Sequence, residues 1–393
     1  MHPLNKNSYL QSRTQDINSR ILNRSVDVAR NQPTLDESDF DPGYNRLTSQ
    51  YPYIPSTHID PTRRPVAFGR WALPKLKREL HNKDNKIVLQ AVTSLSDLLH
   101  DSERVYDAVT LKIPNRLADL LTHEMPEIRE RVCITLTTLA GIASGREVIV
   151  KCNLLMDNLA KLMDDEEETI RFKVAILLEM IARTWFAADY LVDAGFIKLI
   201  LDRISKEIDN IKLTYLEALM FLMYAEGKDE ALSLGAFDLF VSCMEEGTDF
   251  IVTKAADCLL MLTSIRPAKE IAFDKQTLQR LTQLLYRDNF EIYSSVASAI
   301  MFCTIKSRAK IQAKEMPRLL ERLIVLMNDW KCRSAQLFSI KALTNICEYP
   351  DVRTEVKQKY LDKVEEIIVN DENVRRHKEI LLTVIKWVPR SAT

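Results

Sequence analysis

The chain has 393 residues and is almost neutral, with 54 lysines and arginines against 55 aspartates and glutamates. This balance argues against a dedicated nucleic-acid binder, whose domain is usually strongly basic. Only eight glycines occur, and their spacing fits neither a dinucleotide fingerprint nor a phosphate-binding loop. Sandwiches and barrels need glycine at many turns, so a strand-rich fold is not expected either.

The residues that usually carry chemistry also lack the patterns of a site. The seven cysteines include no C-x-x-C pair, and the six histidines show no metal-ligand spacing. No nucleophile elbow or triad signature occurs. No uncharged run approaches the ~18–20 residues of a membrane span, and residues 1–30 lack the apolar core of a signal peptide. We therefore expect a reduced, soluble, intracellular protein with no catalytic residues, metal, cofactor, small-molecule substrate or membrane contact.

Residues 1–56 form the first segment and are polar, with Pro33, Pro42, Pro52 and Pro55 among them. They show no helical apolar periodicity. Such a segment buries too little apolar surface to offset its ordering entropy. We expect an extended or disordered N-terminal arm, which either stays loose or orders on a partner through its tyrosines.

Residues 73–388 repeat one apolar pattern. Each copy has an anchor followed by mostly apolar residues at +4, +8 and +11, which fall on one stripe of an α-helix because its period is 3.6 residues. Successive anchors lie 41, 42, 41, 40, 41, 43 and 39 residues apart, and the last copy is degenerate. This predicts an all-α fold, an armadillo/HEAT-like α-solenoid of about eight repeats of ~41 residues. The anchors are Ile87, Ile128, Ile170, Ile211, Ile251, Ile292, Ala335 and Val374.

The corner between the first two helices of a repeat separates the armadillo from the HEAT pattern. Residues 191–200 read as the end of a short helix, a corner broken by Gly195, and a second helix, and Gly235 repeats this arrangement. A short first helix before such a corner looks like the three-helix armadillo repeat. Lys112 stands in place of the glycine in an earlier repeat, so the match is uneven.

Positions +6 and +10 after each anchor are expected to face the concave groove of the array. Armadillo peptide-transport receptors repeat Trp and Asn there, and only Asn345 fits that ladder, so nuclear-signal carriage is not expected. Adaptable Met and Phe side chains suit a bound amphipathic helix, whereas in the alternative they only pack between neighbouring third helices. The candidate protein-binding residues of the groove are Ile134, Ile176, Met180, Glu217, Phe221, Asp257, Met261, Phe302 and Asn345.

An acidic run from Asp164 to Glu168 stands just before the third helix anchored at Ile170. Acidic side chains are favourable near the positive end of a helix dipole. We expect a solvated loop with this helix-start effect, and contact with a basic partner is the alternative.

The stretch 58–80 joins the arm to the array and reads HIDPTRRPVAFGRWALPKLKREL. It resembles the start of the armadillo-repeat radial spoke protein family, known as the radial spoke head fourteen homologue or rhabdoid tumour deletion region family. That family opens with Ile-Asp-Pro-Thr-Arg, followed by Ala-Phe-Gly-Arg and Ala-Leu-Pro-Lys-Leu-Lys. Residues 299–302 and 341–344 are also similar to it.

The resemblance implies a non-enzymatic structural subunit of the radial spoke in motile cilia and flagella. Its partners would be other radial spoke proteins in a multi-protein axonemal complex, and its location the cytoplasm and the axoneme of the cilium or flagellum. A cytosolic or nuclear armadillo adaptor that binds a linear or amphipathic peptide reversibly in its groove is the alternative.

The motif also has a physical interpretation as a lead-in and N-terminal cap over residues 57–72. Its prolines hold the chain extended, and Phe68, Trp71 and Leu73 cover the open apolar end of the first repeat, a need that every solenoid end has. Its arginines can then reach an acidic partner. The candidate protein-binding residues of the motif are Asp60, Arg63, Arg64, Phe68, Arg70 and Trp71.

Overall fold

A computed structural model describes residues 61–63, 67 and 69–387. The chain divides into two units, residues 1–63 and residues 64–393, and each is described by itself. In the first unit, Pro61–Arg63 form a 3-10 turn. The predicted arm over residues 1–56 and the candidates Asp60, Arg64 and Phe68 lie outside the described residues, so the arm and the domain boundaries remain predictions.

The second unit is helical throughout its described residues, where 23 α-helices and no strand occur. A 3-10 turn at Gly69–Trp71 precedes the first of them. The helices are α1 Ala72–Glu79, α2 Asn85–Leu98, α3 Ser102–Thr110, α4 Ile113–Leu120, α5 Pro126–Ala140, α6 Ala143–Lys151, α7 Asn153–Leu162, α8 Glu168–Ala182, α9 Trp185–Asp193, α10 Phe196–Ile204, α11 Asp209–Tyr224, α12 Lys228–Ser233, α13 Ala236–Glu246, α14 Asp249–Leu262, α15 Arg266–Asp274, α16 Thr277–Leu284, α17 Phe290–Cys303, α18 Ser307–Lys314, α19 Pro317–Leu326, α20 Arg333–Cys347, α21 Pro350–Lys359, α22 Leu361–Glu365 and α23 Glu372–Lys386.

These helices follow a three-helix repeat. After α1 and α2, which are the second and third helices of the first repeat, seven complete sets of three follow. The third helices are α2, α5, α8, α11, α14, α17, α20 and α23, and each packs directly against the third helix of the next repeat. The predicted all-α solenoid with eight anchor helices is confirmed. The last repeat, expected to be degenerate, has all three helices, although α22 is only 5 residues long.

Helix starts follow from local sequence. Aspartate or asparagine side chains accept backbone N–H groups that would otherwise lack a partner, and proline takes the first position of several helices, where no N–H is needed. The side-chain caps precede α2, α3, α17 and α23, and the prolines begin α5, α19 and α21.

The predicted apolar stripe is buried in the middle of the array. In the second to seventh repeats, every residue at the anchor, +4, +8 and +11 positions is buried. The exceptions lie in the terminal repeats, where Ile87 and Leu98 at one end and Lys378 and Leu382 at the other are only partly buried. A terminal repeat has a neighbour on one side only, so part of its stripe stays uncovered.

Four of the seven described corners between first and second helices share one backbone conformation with or without glycine. Gly195 and Gly235 have φ of 77° and 84°, in the left-handed region. Lys112 and Gln276 occupy the corresponding corners with φ of 56° and 53°. At these four corners the longer side chains of Lys112 and Gln276 accept the same strained backbone as glycine. The other three corners, at Cys152, Met316 and Tyr360, have negative φ and so need no glycine.

Candidate functional site on the third helices

The nine predicted groove residues lie on six successive third helices, from α5 to α20. All nine are partly buried, between the buried stripe of their own helix and solvent. We call the surface that they form the third-helix face. The structure brings them together in the predicted order along this face, one or two from each repeat.

The apolar members of the face share their surfaces between core and solvent. Met180, Phe221 and Met261 pack against the hydrophobic core while keeping part of their side chains accessible. Phe302 lies beneath the ammonium group of Lys269, whose Nζ is 5.7 Å from the ring centroid. Packing between third helices and contact with a ligand are therefore not exclusive, because each side chain has surface for both.

The acidic members already contact the neighbouring repeat. Glu217 Oε1 on α11 lies 3.1 Å from Lys254 Nζ on α14. Burial raises the pKa of Asp257, and a hydrogen bond from Ser295 on α17 together with the charge of Lys254 offsets part of that rise. Two carboxyl groups thus share one lysine, and this part of the face has an excess of potential negative charge.

Asn345 is also engaged within the protein. Its Nδ2 donates to the carbonyl of Met301 in the preceding repeat at 2.8 Å. Related bonds join other pairs of third helices: Thr135 Oγ1 donates to the Val92 carbonyl at 3.2 Å. The one residue that fitted the peptide-receptor ladder therefore holds two repeats together.

The N-terminal motif is described from Gly69 onward and at a few earlier positions. Gly69 has φ of 56°, and its carbonyl accepts a 3.4 Å hydrogen bond from Arg104 Nη1 on α3. Trp71 is 41% exposed, and the guanidinium carbon of Arg70 lies 5.4 Å from its ring centroid. Leu73 is buried, as capping of the first repeat requires, whereas Trp71, which was also expected to cap that repeat, is exposed and remains available to a partner. Arg63 is exposed in its own 3-10 turn.

Sequence reasoning missed a network at the corners between second and third helices. Asp165, from the acidic run, accepts two hydrogen bonds from Arg129 of the preceding repeat, at 2.8 and 3.0 Å. Arg171 Nε donates to Glu207 Oε1 of the following repeat at 3.0 Å. The run is therefore more than a solvated loop, because Asp165 joins two repeats. The signal was an arginine directly after an anchor with an acid 36 residues later.

Between residues 69 and 387, no three His, Cys, Asp or Glu side chains come together as a set that could hold a metal ion. No helix in that range is both long and apolar enough to cross a membrane.

The comparisons with known proteins concern the fold. No family model matches the sequence. An engineered protein solved by a structural genomics consortium aligns with a TM-score of 0.60 at 18% identity, over 80% of this chain and 88% of that chain. A designed armadillo repeat protein aligns with a TM-score of 0.54 at 15% identity, over 59% of this chain and 99% of that chain.

A further designed armadillo repeat protein, in complex with the peptide (KR)4, aligns with a TM-score of 0.55 at 16% identity, over 59% of this chain and 99% of that chain. Identities this low carry no information on activity. The structural alignments establish the architecture: the protein is an armadillo-like α-solenoid.

Proposed function

We propose that the protein is a non-enzymatic scaffold subunit of the radial spoke in the axoneme of motile cilia and flagella, and that it binds other spoke proteins along its solenoid. The observation that carries this proposal is the motif over residues 58–80, which resembles the start of the spoke protein family. An armadillo-like solenoid supports it, because an extended array offers many moderate interfaces rather than one deep pocket.

The geometry of the motif is compatible with a partner contact. Gly69 takes a backbone conformation that favours glycine, and Arg104 holds its carbonyl. The next two residues, Arg70 and Trp71, are exposed and lie against each other. A stacked Arg–Trp pair on a fixed turn loses little side-chain entropy on binding, and both residue types are enriched at binding hot spots.

The test is fractionation of motile cilia that carry the tagged full chain, first with detergent and then with high salt. Retention after detergent, and co-migration with a large spoke particle after salt extraction, is the expected result. Release into the detergent-soluble fraction, or absence from cilia, would exclude the spoke assignment and leave the fold unaffected.

Variants of the motif examine the contact itself. Charge reversal at Arg63 and Arg64, or Phe68→Ala combined with Trp71→Ala, is expected to weaken incorporation into spokes. Trp185→Ala and Arg266→Glu are matched controls, since both side chains are strongly exposed on the array and lie outside the motif. Normal incorporation of both motif variants would contradict a role for these residues.

A reversible peptide adaptor is the second candidate, favoured by the two carboxyl groups on the third-helix face that share Lys254. Labelled (KR)4 peptide is a direct probe of this function. Glu217→Gln with Asp257→Asn is expected to weaken its binding at moderate salt, whereas Asp238→Asn with Glu245→Gln, on α13, is expected to leave binding unchanged. Equal loss in both variants would show that only overall charge matters.

A further inference from the structure

One edge of the array carries a row of exposed apolar side chains, which we call the corner row. Its members stand at or beside the corner between the second and third helices, one in each of the last five repeats. They are between 41% and 66% exposed. Large apolar side chains repeated at one structural position are unusual on a protein surface and mark interaction sites. The corner row consists of Ile208, Phe250, Phe290, Trp330 and Ile368.

Hydrogen bonds between successive corners show that the row is continuous over the last four of these repeats. Asn289 Nδ2, next to Phe290, donates to Asp249 Oδ2, next to Phe250, at 3.1 Å. Tyr293 Oη donates at 2.9 Å to Asp329, which precedes Trp330. Gln336 Nε2 on α20 donates to the carbonyl of Ile368 itself at 3.0 Å. Residues close in sequence to one row member thus contact residues close to the next row member.

The first three repeats present a different edge. Their corners, residues 81–84, 122–125 and 164–167, contain no exposed large apolar side chain. The third of them is the acidic run, where Asp165 is paired with Arg129. The exposed apolar side chains therefore begin at Ile208 and continue to the last repeat. They are confined to one part of the edge, so the repeat fold itself does not require them.

The charges beside the row are unequal. Arg287 and Arg333 are paired with Asp249 and Asp371 in the neighbouring repeats. Among the described residues, six carboxylates at these corners take part in no ion pair, against three lysines, one of which, Lys331, lies 5.9 Å from the Trp330 ring centroid. The six acids are Asp209, Glu246, Asp288, Glu291, Asp329 and Glu366, and the three lysines are Lys206, Lys212 and Lys331.

A cavity of about 240 Å³ opens between the corners of Ile208 and Phe250. Asp209, Lys212 and Glu246 line it together with the backbone of Gly247. Two acids against one lysine give it a net negative lining. A cavity of this size next to an apolar row suits the long side chain of a lysine or arginine from a bound partner.

We propose that the corner row docks an amphipathic α-helix of a partner protein, with apolar side chains at seven-residue intervals and lysines or arginines beside them. Packed helices lie roughly 8–10 Å apart, which sets the spacing between row members. Seven residues of helix advance about 10.5 Å, so one apolar side chain per heptad meets one row member per repeat. A helix also satisfies its own backbone hydrogen bonds, whereas the row offers an extended peptide only side chains.

The proposal is independent of the third-helix face and of the spoke assignment, and a synthetic probe tests it with the full chain. The probe is a labelled 29-residue peptide with leucine at every seventh position, lysines flanking that stripe and alanine elsewhere. Fluorescence anisotropy then compares wild type with the triple variant Phe250→Ala, Phe290→Ala, Trp330→Ala. The matched control, Tyr106→Ala, Trp185→Ala, Tyr224→Ala, removes three aromatic rings of similar or greater exposure away from the corner row.

The corner variant is expected to bind the probe about tenfold more weakly or worse, and the control variant to stay within about twofold of wild type. A peptide of the same composition with scrambled leucines should bind weakly to all three proteins. Equal binding by the corner variant and wild type, or equal binding of the scrambled peptide, would overturn the proposal. Tighter binding of an extended peptide with leucine at every third position, or a dimer that the corner variant abolishes in sedimentation, would also overturn it and assign the row to that occupant.

Discussion

Arg129 and Asp165 form two parallel hydrogen bonds across 36 residues of sequence, at 2.8 and 3.0 Å, and join the corners of consecutive repeats. The same guanidinium donates to the carbonyls of His123 and Glu124 in its own corner, at 2.9 and 3.1 Å. One side chain therefore fixes its own loop and the next. Because the carboxylate is almost fully buried, this pair should contribute more than an ordinary surface ion pair.

Asp165→Asn tests this contribution. The substitution leaves Arg129 partly buried beside a neutral group, and we expect the free energy of unfolding to fall by about 2–3 kcal/mol. Urea denaturation measures the loss, and hydrogen exchange should show it locally in α5 and α8, since each repeat contacts only its neighbours.

Glu245→Gln provides the matched control for that experiment. Glu245 also spans two repeats, with Oε1 2.7 Å from Arg280 Nη1, but both side chains are about half exposed. An exposed pair is worth about 0–1 kcal/mol. If the two substitutions lowered the free energy of unfolding equally, burial of the Arg129–Asp165 pair would add nothing to stability.

The sequence predicted the features that depend on helical period. The anchors, the buried stripe and the number of third helices follow from spacing alone, because 3.6-residue periodicity is local. The partner of Arg129 was not predictable in this way, since an acid 36 residues away becomes a neighbour only when the repeats stack. For the same reason the sequence placed Glu217 and Asp257 on one face but did not reveal that Lys254 interacts with both.

The helix corners make a second prediction about backbone strain. Gly195→Ala is expected to destabilise the protein by about 1 kcal/mol, because a side chain disfavours the left-handed conformation that Gly195 adopts, with φ of 77°. Lys112→Gly, at φ of 56°, is expected to stabilise the protein, but by less than about 1 kcal/mol. The relief of backbone strain is partly offset because glycine gains more conformational entropy in the unfolded chain.

Thermal denaturation of both corner variants measures these effects. No methyl clash complicates the Gly195 substitution, because a Cβ there would meet nothing within 4 Å. Destabilisation by Lys112→Gly as large as that of Gly195→Ala would show that the lysine side chain, and not the backbone, stabilises its corner.

Thiol reactivity makes a third prediction, which follows from burial. Burial raises the pKa of Cys133, Cys303 and Cys347 to about 12, and the thiolate is the reactive form. At pH 8 the native protein should therefore react with a thiol reagent only at the partly exposed cysteines 152, 243 and 332. Mass spectrometry after labelling identifies the sites. Rapid modification of Cys133 in the native state would reveal local opening of α5.

Asp257 links the third-helix face to stability, and its effect should depend on pH. Burial raises its pKa in the folded protein, so the folded state holds the proton more tightly than the unfolded chain. The stabilisation from this proton is complete below the unfolded pKa of about 4 and is lost as pH rises through the folded value. At pH 7 the ionised carboxyl group therefore lowers the free energy of unfolding. Asp257→Asn is expected to raise the melting temperature at pH 7 and to leave it nearly unchanged below about pH 4.

The matched substitution for Asp257 is Glu217→Gln, which removes the carboxylate that lies 3.1 Å from Lys254 and should not stabilise the protein at pH 7. Melting curves of both variants between pH 3.5 and 7.5 separate the two effects, in the range where these carboxyl groups titrate. Binding surfaces often contain a carboxylate that lowers stability, because selection for affinity tolerates local destabilisation. Asp257 would be such a residue on this face. If Asp257→Asn instead lowered the melting temperature at pH 7, the hydrogen bond from Ser295 and the charge of Lys254 would outweigh the cost of burial, and Asp257 would be a structural residue of the array.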